Sequence, residues 1–240
     1  MPVLRVPSVQ HLARNWRASE TAVARLLVQL ALNPPFFNYS PLYSAARDLL
    51  ILKVPYDQVL TGIQRIKRKV VRDNLAEVVP LMHAHFEDIS PDYFQLVDRR
   101  YYPVGRDLMV PFDPPLIYGL GGTLHFPWFS FWRQNPLQNE ALSLFVTLVS
   151  EILLQDPDLE GAKFEILDFS CIGSDRTRAL QVIDAAEIPR VSDDRKAQML
   201  EVFAAGYALA LQELRSKARS SSREADAAAP SGLQGELFEE

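Results

Sequence analysis

The chain has 240 residues, a formal net charge of -5 and one cysteine. This length allows one large domain or two small ones with a real hydrophobic core. The net negative charge argues against a general nucleic-acid or membrane-surface binder, although it permits a local basic patch. One cysteine excludes an internal disulfide. No stretch approaches about 18 uninterrupted apolar residues, and the first residues lack a signal-peptide pattern, so we expect no membrane span and a cytoplasmic protein.

The first 89 residues predict a helical region. Residues 1–18 form a lead-in, and Ser19 is placed to cap a first helix. Ser40 and Pro41 predict the start of a second helix, since proline is favoured in the first turn. A third, longer helix is predicted over 56–79 and is expected to break or restart at Pro80. Its apolar stripe consists of Val59, Ile63, Ile66 and Val70.

Residues 90–171 predict a small mixed sheet. Aromatic and β-branched residues alternate with proline and glycine turns from 106 to 133, which favours two or three strands. The segment 123–132 is apolar on both alternating faces, which is typical of a strand buried on both sides. Asn135 is placed to cap a helix over 136–155, and residues 162–170 predict a further short strand.

The last part of the chain predicts two helices and a tail. Ser174 is placed to cap the first helix, and Ser192 to cap the second. From Ser216 onward, small and charged residues lack apolar periodicity, which indicates disorder. The sequence therefore predicts an α+β fold with three regions: a helical N-terminal region over 1–89, a sheet packed with helices over 90–215, and a disordered tail over 216–240. We expect the first two regions to form one compact unit.

The tail contains two large apolar residues where its composition predicts none. Leu237 and Phe238 follow Gln234 after two intervening residues, in the sequence Gln-Gly-Glu-Leu-Phe. This pentapeptide resembles the motif by which bacterial DNA-replication and repair proteins bind the β sliding clamp. In that family a glutamine comes first, two tolerant positions follow, and a Leu-Phe pair ends the motif. Gly235 departs from the larger residue often found at the second position, which weakens the expected binding.

The resemblance implies a role for each matched position. Gln234 would hydrogen-bond in a small polar site of the clamp, while Leu237 and Phe238 would fill an apolar pocket beside it. A flexible peptide that docks two apolar anchors loses conformational entropy on binding, so moderate affinity is expected. The implied protein is a non-enzymatic bacterial factor that acts in replication or repair, or a toxin that blocks replication by displacing the polymerase.

A basic segment suggests an alternative function. On the predicted helix 56–79, four cations lie opposite the apolar stripe: Arg65, Arg68, Lys69 and Arg72. With the two preceding helices, this helix could form a three-helix DNA-binding unit whose third helix contacts phosphates. A solvated helix face is the simpler interpretation of the same pattern. The sequence thus offers a DNA-binding regulator as the second hypothesis.

The remaining patterns do not predict a catalytic centre. Cys171 precedes Arg176 and Arg178, but neither arginine has the spacing of a cysteine phosphatase loop. His83 and His85 are two residues apart and face different sides of a helix, so no metal site is predicted. The acids of segment 157–168 lack a lysine where a nuclease motif needs one, because Leu167 stands there. We expect no cofactor, and a hydrolase with an unrecognised site is left open.

Aromatic residues are concentrated in segment 125–133. They could stack nucleic-acid bases, but an aromatic run on a strand is more often part of a core. We interpret these side chains as core. The sequence makes no prediction of oligomeric state.

Overall fold

A computed structural model describes residues 4–34, 37–173 and 176–228, with side chains through Arg219. It confirms the predicted α+β class. The helices are α1 (Val9–Asn15), α2 (Glu20–Leu32), α3 (Ser40–Leu50), α4 (Tyr56–Gln64), α5 (Lys69–Ala76), α6 (Val79–Phe86), α7 (Glu140–Leu154) and α8 (Asp193–Ala228). The strands are β1 (Tyr93–Gln95), β2 (Arg100–Gly105), β3 (Leu108–Phe112), β4 (Ile117–Leu120), β5 (Thr123–Ser130), β6 (Lys163–Asp168), β7 (Cys171–Ile172), β8 (Thr177–Arg178) and β9 (Gln181–Asp184).

Five strands form the central sheet in the order β1-β4-β5-β6-β9. The β5–β6 pair is parallel, and the other three pairs are antiparallel. Parallel neighbours need a long crossover connection, and α7 supplies it between β5 and β6. Strands β2 and β3 form a separate hairpin, as do the short strands β7 and β8.

Side chains of β5 and β6 alternate between two hydrophobic cores. Phe126, Trp128 and Ile166 lie in one core, while Phe129 and Leu167 lie in the other. This alternation follows from the two-residue period of a strand. It confirms the prediction that β5 is buried on both sides, because its last five residues are all buried.

Different elements cover the two faces of the sheet. On one, which we call the α7 face, α7 packs with α1, α2, α8 and the β2–β3 hairpin. The opposite face, which we call the α3 face, is covered by α3 through α6. The N-terminal helices are therefore divided between the two sides of the sheet.

Helix α8 packs closely along α2. Ser192 Oγ accepts a hydrogen bond from the backbone N–H of Arg195 at 3.4 Å, which confirms the predicted cap. Met199, Phe203 and Ala210 are buried, and their spacing places them on one face of the helix. At Gly206 the helices approach so closely that a Cβ atom would lie 2.6 Å from Val23 Cβ and 2.8 Å from the carbonyl oxygen of Glu20.

Two predicted helices are wrong in extent. The helix over 56–79 is divided into α4 and α5 by a turn, and Val70 at the end of its predicted stripe is 70% exposed. Leu75 is buried in the same core as Ile63, and the turn allows both to reach it. The helix over 136–155 begins later, at Glu140, because the Asn135 side chain contacts Asp168 and accepts from the backbone N–H of Leu137.

Two further differences lie near the C-terminus. The helix expected after Ser174 is wrong, since Val182 and Ile183 belong to β9, which pairs with β6; Ser174 itself lies outside the described residues. Helix α8 continues past Ser216, the predicted start of the tail, to Ala228, and residues 229–240 of the predicted tail lie outside the described residues.

Over residues 4–34, 37–173 and 176–228, no helix is both long enough and apolar enough to cross a membrane.

Replacing Gly206 with alanine should destabilise the protein by about 1–3 kcal/mol, because the added methyl group overpacks the α2–α8 contact. Gly62 in α4 is the matched control, since a Cβ there meets no atom within 4 Å. Gly62→Ala should stabilise by about 0.5–1 kcal/mol through higher helix propensity. Urea denaturation gives both free energies of unfolding. Equal effects of the two substitutions would contradict the close α2–α8 packing.

Candidate functional site

The residues that match the clamp motif follow the last described element. Gln234, Leu237 and Phe238 lie outside the described residues, which end at Ala228 in α8. Leu214 is the last buried side chain of α8 among those described. From Leu214 to Ala228 the helix extends about 20 Å at roughly 1.5 Å per residue. The motif therefore follows a helix that continues well beyond its packed part.

The four predicted nucleic-acid residues lie at the corner between α4 and α5. Arg65 follows the last residue of α4, Arg68 precedes α5, and Lys69 and Arg72 lie in α5. We call residues 65–72 the α4–α5 corner; it also contains the exposed Lys67. The structure thus keeps these cations close together, although on a turn and a short helix rather than on one long helix.

The predicted three-helix unit is wrong as an arrangement. Helix α2 packs against α8 on the α7 face, while α3 and α4 pack together on the α3 face. Part of the corner's charge is also compensated, because Asp73 lies 2.6 Å from Lys69 Nζ and 3.3 Å from Arg72 Nε. These contacts lower the pKa of Asp73, with the hydrogen bond from Lys69 as the main cause.

A second feature, which the sequence did not predict, lies where β5 and β6 end. A cavity of about 1090 Å³ opens there, beside the start of α7. We call it the strand-end cavity. Its polar lining includes Arg133, Asn135, Asp168, Ser170, Arg176 and Gln181. The outer ends of parallel strands are a common position for ligand sites, because the connections leave the sheet there in different directions.

Asp168 organises the wall of this cavity. Its side chain is buried, at 2% exposure. Asn135 Nδ2 donates to Asp168 Oδ2 at 2.8 Å, and Ser170 donates to the same carboxylate from its hydroxyl at 3.0 Å and its backbone N–H at 3.2 Å. This carboxylate therefore holds together the two loops that follow β5 and β6.

A buried arginine joins the cavity region to the α3 face. Arg178 Nη1 donates to the carbonyl oxygens of Phe169 at 2.6 Å and Phe131 at 3.3 Å, and Nη2 donates to Asn74 Oδ1 of α5 at 2.9 Å. Its Nε lies 3.5 Å from Glu77 Oε2. Burial lowers the pKa of the Arg178 guanidinium below its ordinary value. The Arg178 guanidinium therefore holds α5 against the ends of the strands.

Cys171 lies in the wall of the strand-end cavity and is partly exposed rather than fully buried. Its thiol contacts the carbonyl oxygen of Arg176 at 2.9 Å. Arg178 donates its hydrogen bonds to the carbonyl oxygens of Phe131 and Phe169 inside the protein.

The histidines do not converge on a metal site. Over the described ranges, no three His, Cys, Asp or Glu side chains are arranged to hold a metal ion. His83 Nε2 lies 3.6 Å from Glu87, and its ring stacks on Tyr56. Both contacts are consistent with a helix surface.

A polar cluster on the α3 face went unnoticed in the sequence. His125 Nδ1 lies 2.9 Å from Glu165 Oε2, and Lys163 Nζ lies 2.8 Å from Glu165 Oε1. Tyr118 stacks on the His125 ring at a centroid distance of 4.9 Å. Burial and the nearby Glu165 charge raise the pKa of Tyr118 to about 12. Adjacent registers on β4, β5 and β6 bring these residues together, and sequence spacing alone does not reveal that.

The aromatic run is confirmed as core. Trp128, Phe129 and Phe131 are each at most 3% exposed. Phe129 and Phe131 stack with a centroid distance of 5.6 Å on the α3 face, whereas Trp128 contacts Phe145 of α7. These rings are therefore occupied by packing.

Comparisons with known proteins identify no relative: no family model, no curated protein and no solved structure matches the chain.

Arg178→Met should destabilise the protein by at least about 3 kcal/mol, because it leaves the buried carbonyl oxygens of Phe131 and Phe169 without their donor. Arg133→Met is the matched control. Its ion pair with Glu77 is 2.8 Å long but about half exposed, so its loss should change stability by less than about 0.5 kcal/mol. Thermal and urea unfolding measure the stability of both variants, and similar losses of stability would contradict this structural role of Arg178.

Proposed function

We propose that the protein docks on the bacterial β sliding clamp through Gln234, Leu237 and Phe238. The observation that carries the proposal is the sequence itself, which places a glutamine and a Leu-Phe pair at the spacing of clamp-binding peptides. The motif comes after the last residue of α8 that the structure describes, beyond the packed part of the helix. We further propose that the protein acts in the cytoplasm, where the clamp is found.

The geometry of α8 supports presentation of this peptide to a large partner. Residues 193–214 pack against α2 and the β2–β3 hairpin, so the base of the helix is fixed. From Leu214, the last buried side chain of α8 among those described, the helix continues for about 20 Å to Ala228. This length of helix is the feature that favours binding to a large, ring-shaped partner.

The proposed role is non-enzymatic. Docking would bring the folded body to the replication machinery, where it acts in replication or repair. Alternatively, occupancy of the peptide pocket would displace the polymerase, as a replication-blocking toxin would. Both roles use the same contact, and they differ in whether excess protein stops DNA synthesis on a clamp-loaded template.

Leu237→Ala and Phe238→Ala should each weaken clamp binding by at least about tenfold, because apolar anchors in a pocket contribute most of the affinity of a short peptide. Surface plasmon resonance with purified clamp measures the affinity. The melting temperature should not change, since Leu214 is the last buried side chain of α8 among those described, which extend to Arg219.

Leu233→Ala provides a matched control, because it removes the same side chain one residue before the motif. It should bind the clamp as the unmodified chain does. Absence of binding by the unmodified chain, or equal losses at positions 233 and 237, would overturn the proposal.

A second candidate function is contact with DNA through the α4–α5 corner. The observation that favours it is the concentration of five cations within eight residues: Arg65, Lys67, Arg68, Lys69 and Arg72. All but Arg72 are exposed. Because α5 is fixed to the strand ends by Arg178, the corner presents its charge on a rigid element. Such a patch can contact phosphates even on an acidic protein.

The double variant Arg65→Ala with Lys67→Ala should weaken duplex DNA binding and reduce the slope of log affinity against log salt by about 2, one unit per lost phosphate contact. The double variant Arg5→Ala with Arg25→Ala is the control, since it removes the same charge from exposed positions elsewhere. Fluorescence anisotropy at several salt concentrations gives the slopes. Equal slopes for the two double variants, or no binding at low salt, would exclude this function.

A further inference from the structure

The strand-end cavity contains a buried carboxyl group whose partners among the described residues are neutral. Asp168 receives hydrogen bonds from Asn135 and Ser170, and none of the described residues forms an ion pair with it. Buried carboxylates in proteins are normally paired with a cation or fully hydrogen-bonded. Among the described residues, the backbone N–H of Ser170 is the one donor to Oδ1, so this oxygen can accept another hydrogen bond.

A second buried polar group lies next to it. Ser130 is opposite Asp168 in the β5–β6 register and therefore lies on the same sheet face. It is 1% exposed, and its hydroxyl has no hydrogen-bond partner among the described residues. Unsatisfied buried hydroxyls are uncommon in folded proteins, so Ser130 is an unused polar group beside Asp168, although it is not among the described residues that line the cavity.

Two arginines, Arg133 and Arg176, also line the cavity, and both contact the Cys171 segment. The Arg133 carbonyl oxygen accepts from the backbone N–H of Cys171, and Arg133 Nη2 lies 3.5 Å from the Arg176 carbonyl oxygen, so the two residues are neighbours. Guanidinium groups bind phosphate oxygens in a bidentate manner. The half-exposed ion pair of Arg133 with Glu77 is weak enough to exchange for a ligand.

Amide side chains form a further part of the cavity lining. Besides Asn135, the lining contains Gln134, Gln138, Asn139 and Gln181. Each amide carries both hydrogen-bond donors and an acceptor, so it can hydrogen-bond to the edge of a nucleobase. Leu142 and Ile183 add half-buried apolar surface against which a flat ring can lie.

From this combination we propose that the strand-end cavity binds a nucleoside monophosphate whose base carries an exocyclic amine. The amine donates to Asp168, the base edge contacts the amide side chains, and the phosphate binds Arg133 and Arg176. The cavity volume of about 1090 Å³ is sufficient for such a ligand, since pockets for small molecules usually measure about 300–1000 Å³. This binding function is independent of the tail and of the α4–α5 corner.

Isothermal titration calorimetry of the full chain tests the proposal with four probes: AMP, UMP, adenosine and ribose 5-phosphate. AMP should bind saturably. UMP should bind at least about tenfold more weakly because it lacks the amine, and adenosine at least about tenfold more weakly because it lacks the phosphate. If ribose 5-phosphate binds as tightly as AMP, the cavity recognises only the phosphate, and the proposal is overturned. Absence of AMP binding would also overturn it.

Two substitutions and a deletion test where AMP binds. Arg176→Ala should weaken AMP binding about tenfold, leave adenosine binding unchanged, and leave the melting temperature unchanged because Arg176 is exposed. Arg25→Ala in α2 is the matched control and should bind AMP normally. Deletion of residues 229–240 should also leave AMP binding intact. AMP binding unaffected by Arg176→Ala, or lost with the tail, would place the nucleotide elsewhere and contradict the assignment.

Discussion

Strands β5 and β6 pair in parallel from His125 opposite Lys163 to Ser130 opposite Asp168, and their central side chains are buried on both faces. This pairing is the constraint on which the rest of the fold depends. A parallel pair needs a crossover, which places α7 on one face, and the second buried face then needs a cover of its own. Helices α3 to α6 provide that cover. These four helices therefore bury one face of a sheet whose strands follow them in the chain.

The same parallel pairing places a polar cavity at one end of the sheet. Where the paired strands end, their loops separate and leave the strand-end cavity, with Asp168 between the loops. Arg178 fills the gap toward the α3 face and holds α5 there through Asn74. The α4–α5 corner and the cavity are therefore attached to one rigid framework, whereas the tail continues from α8 on the other face.

Local patterns in the sequence predicted the elements that carry complete local signals. Ser192 caps α8, and apolar residues on both faces of β5 mark a strand buried on both sides. Elements decided by distant contacts were missed. No proline or glycine marks the turn after α4, and Asn135 looks like a helix cap although its side chain binds Asp168, distant in the chain. The cavity residues come from separate loops without a motif, so only the fold brings them together. The tail motif, by contrast, was visible only in the sequence.

The central claim is that the folded body is a rigid support and that the tail makes the contact with the clamp. Hydrogen exchange of the full chain, followed by mass spectrometry with and without purified clamp, tests it most directly. The account predicts slowest exchange in β5 and β6 in both samples, and new protection confined to peptides that contain residues 234–238. Protection by the clamp within residues 4–214, with none in the tail, would contradict it.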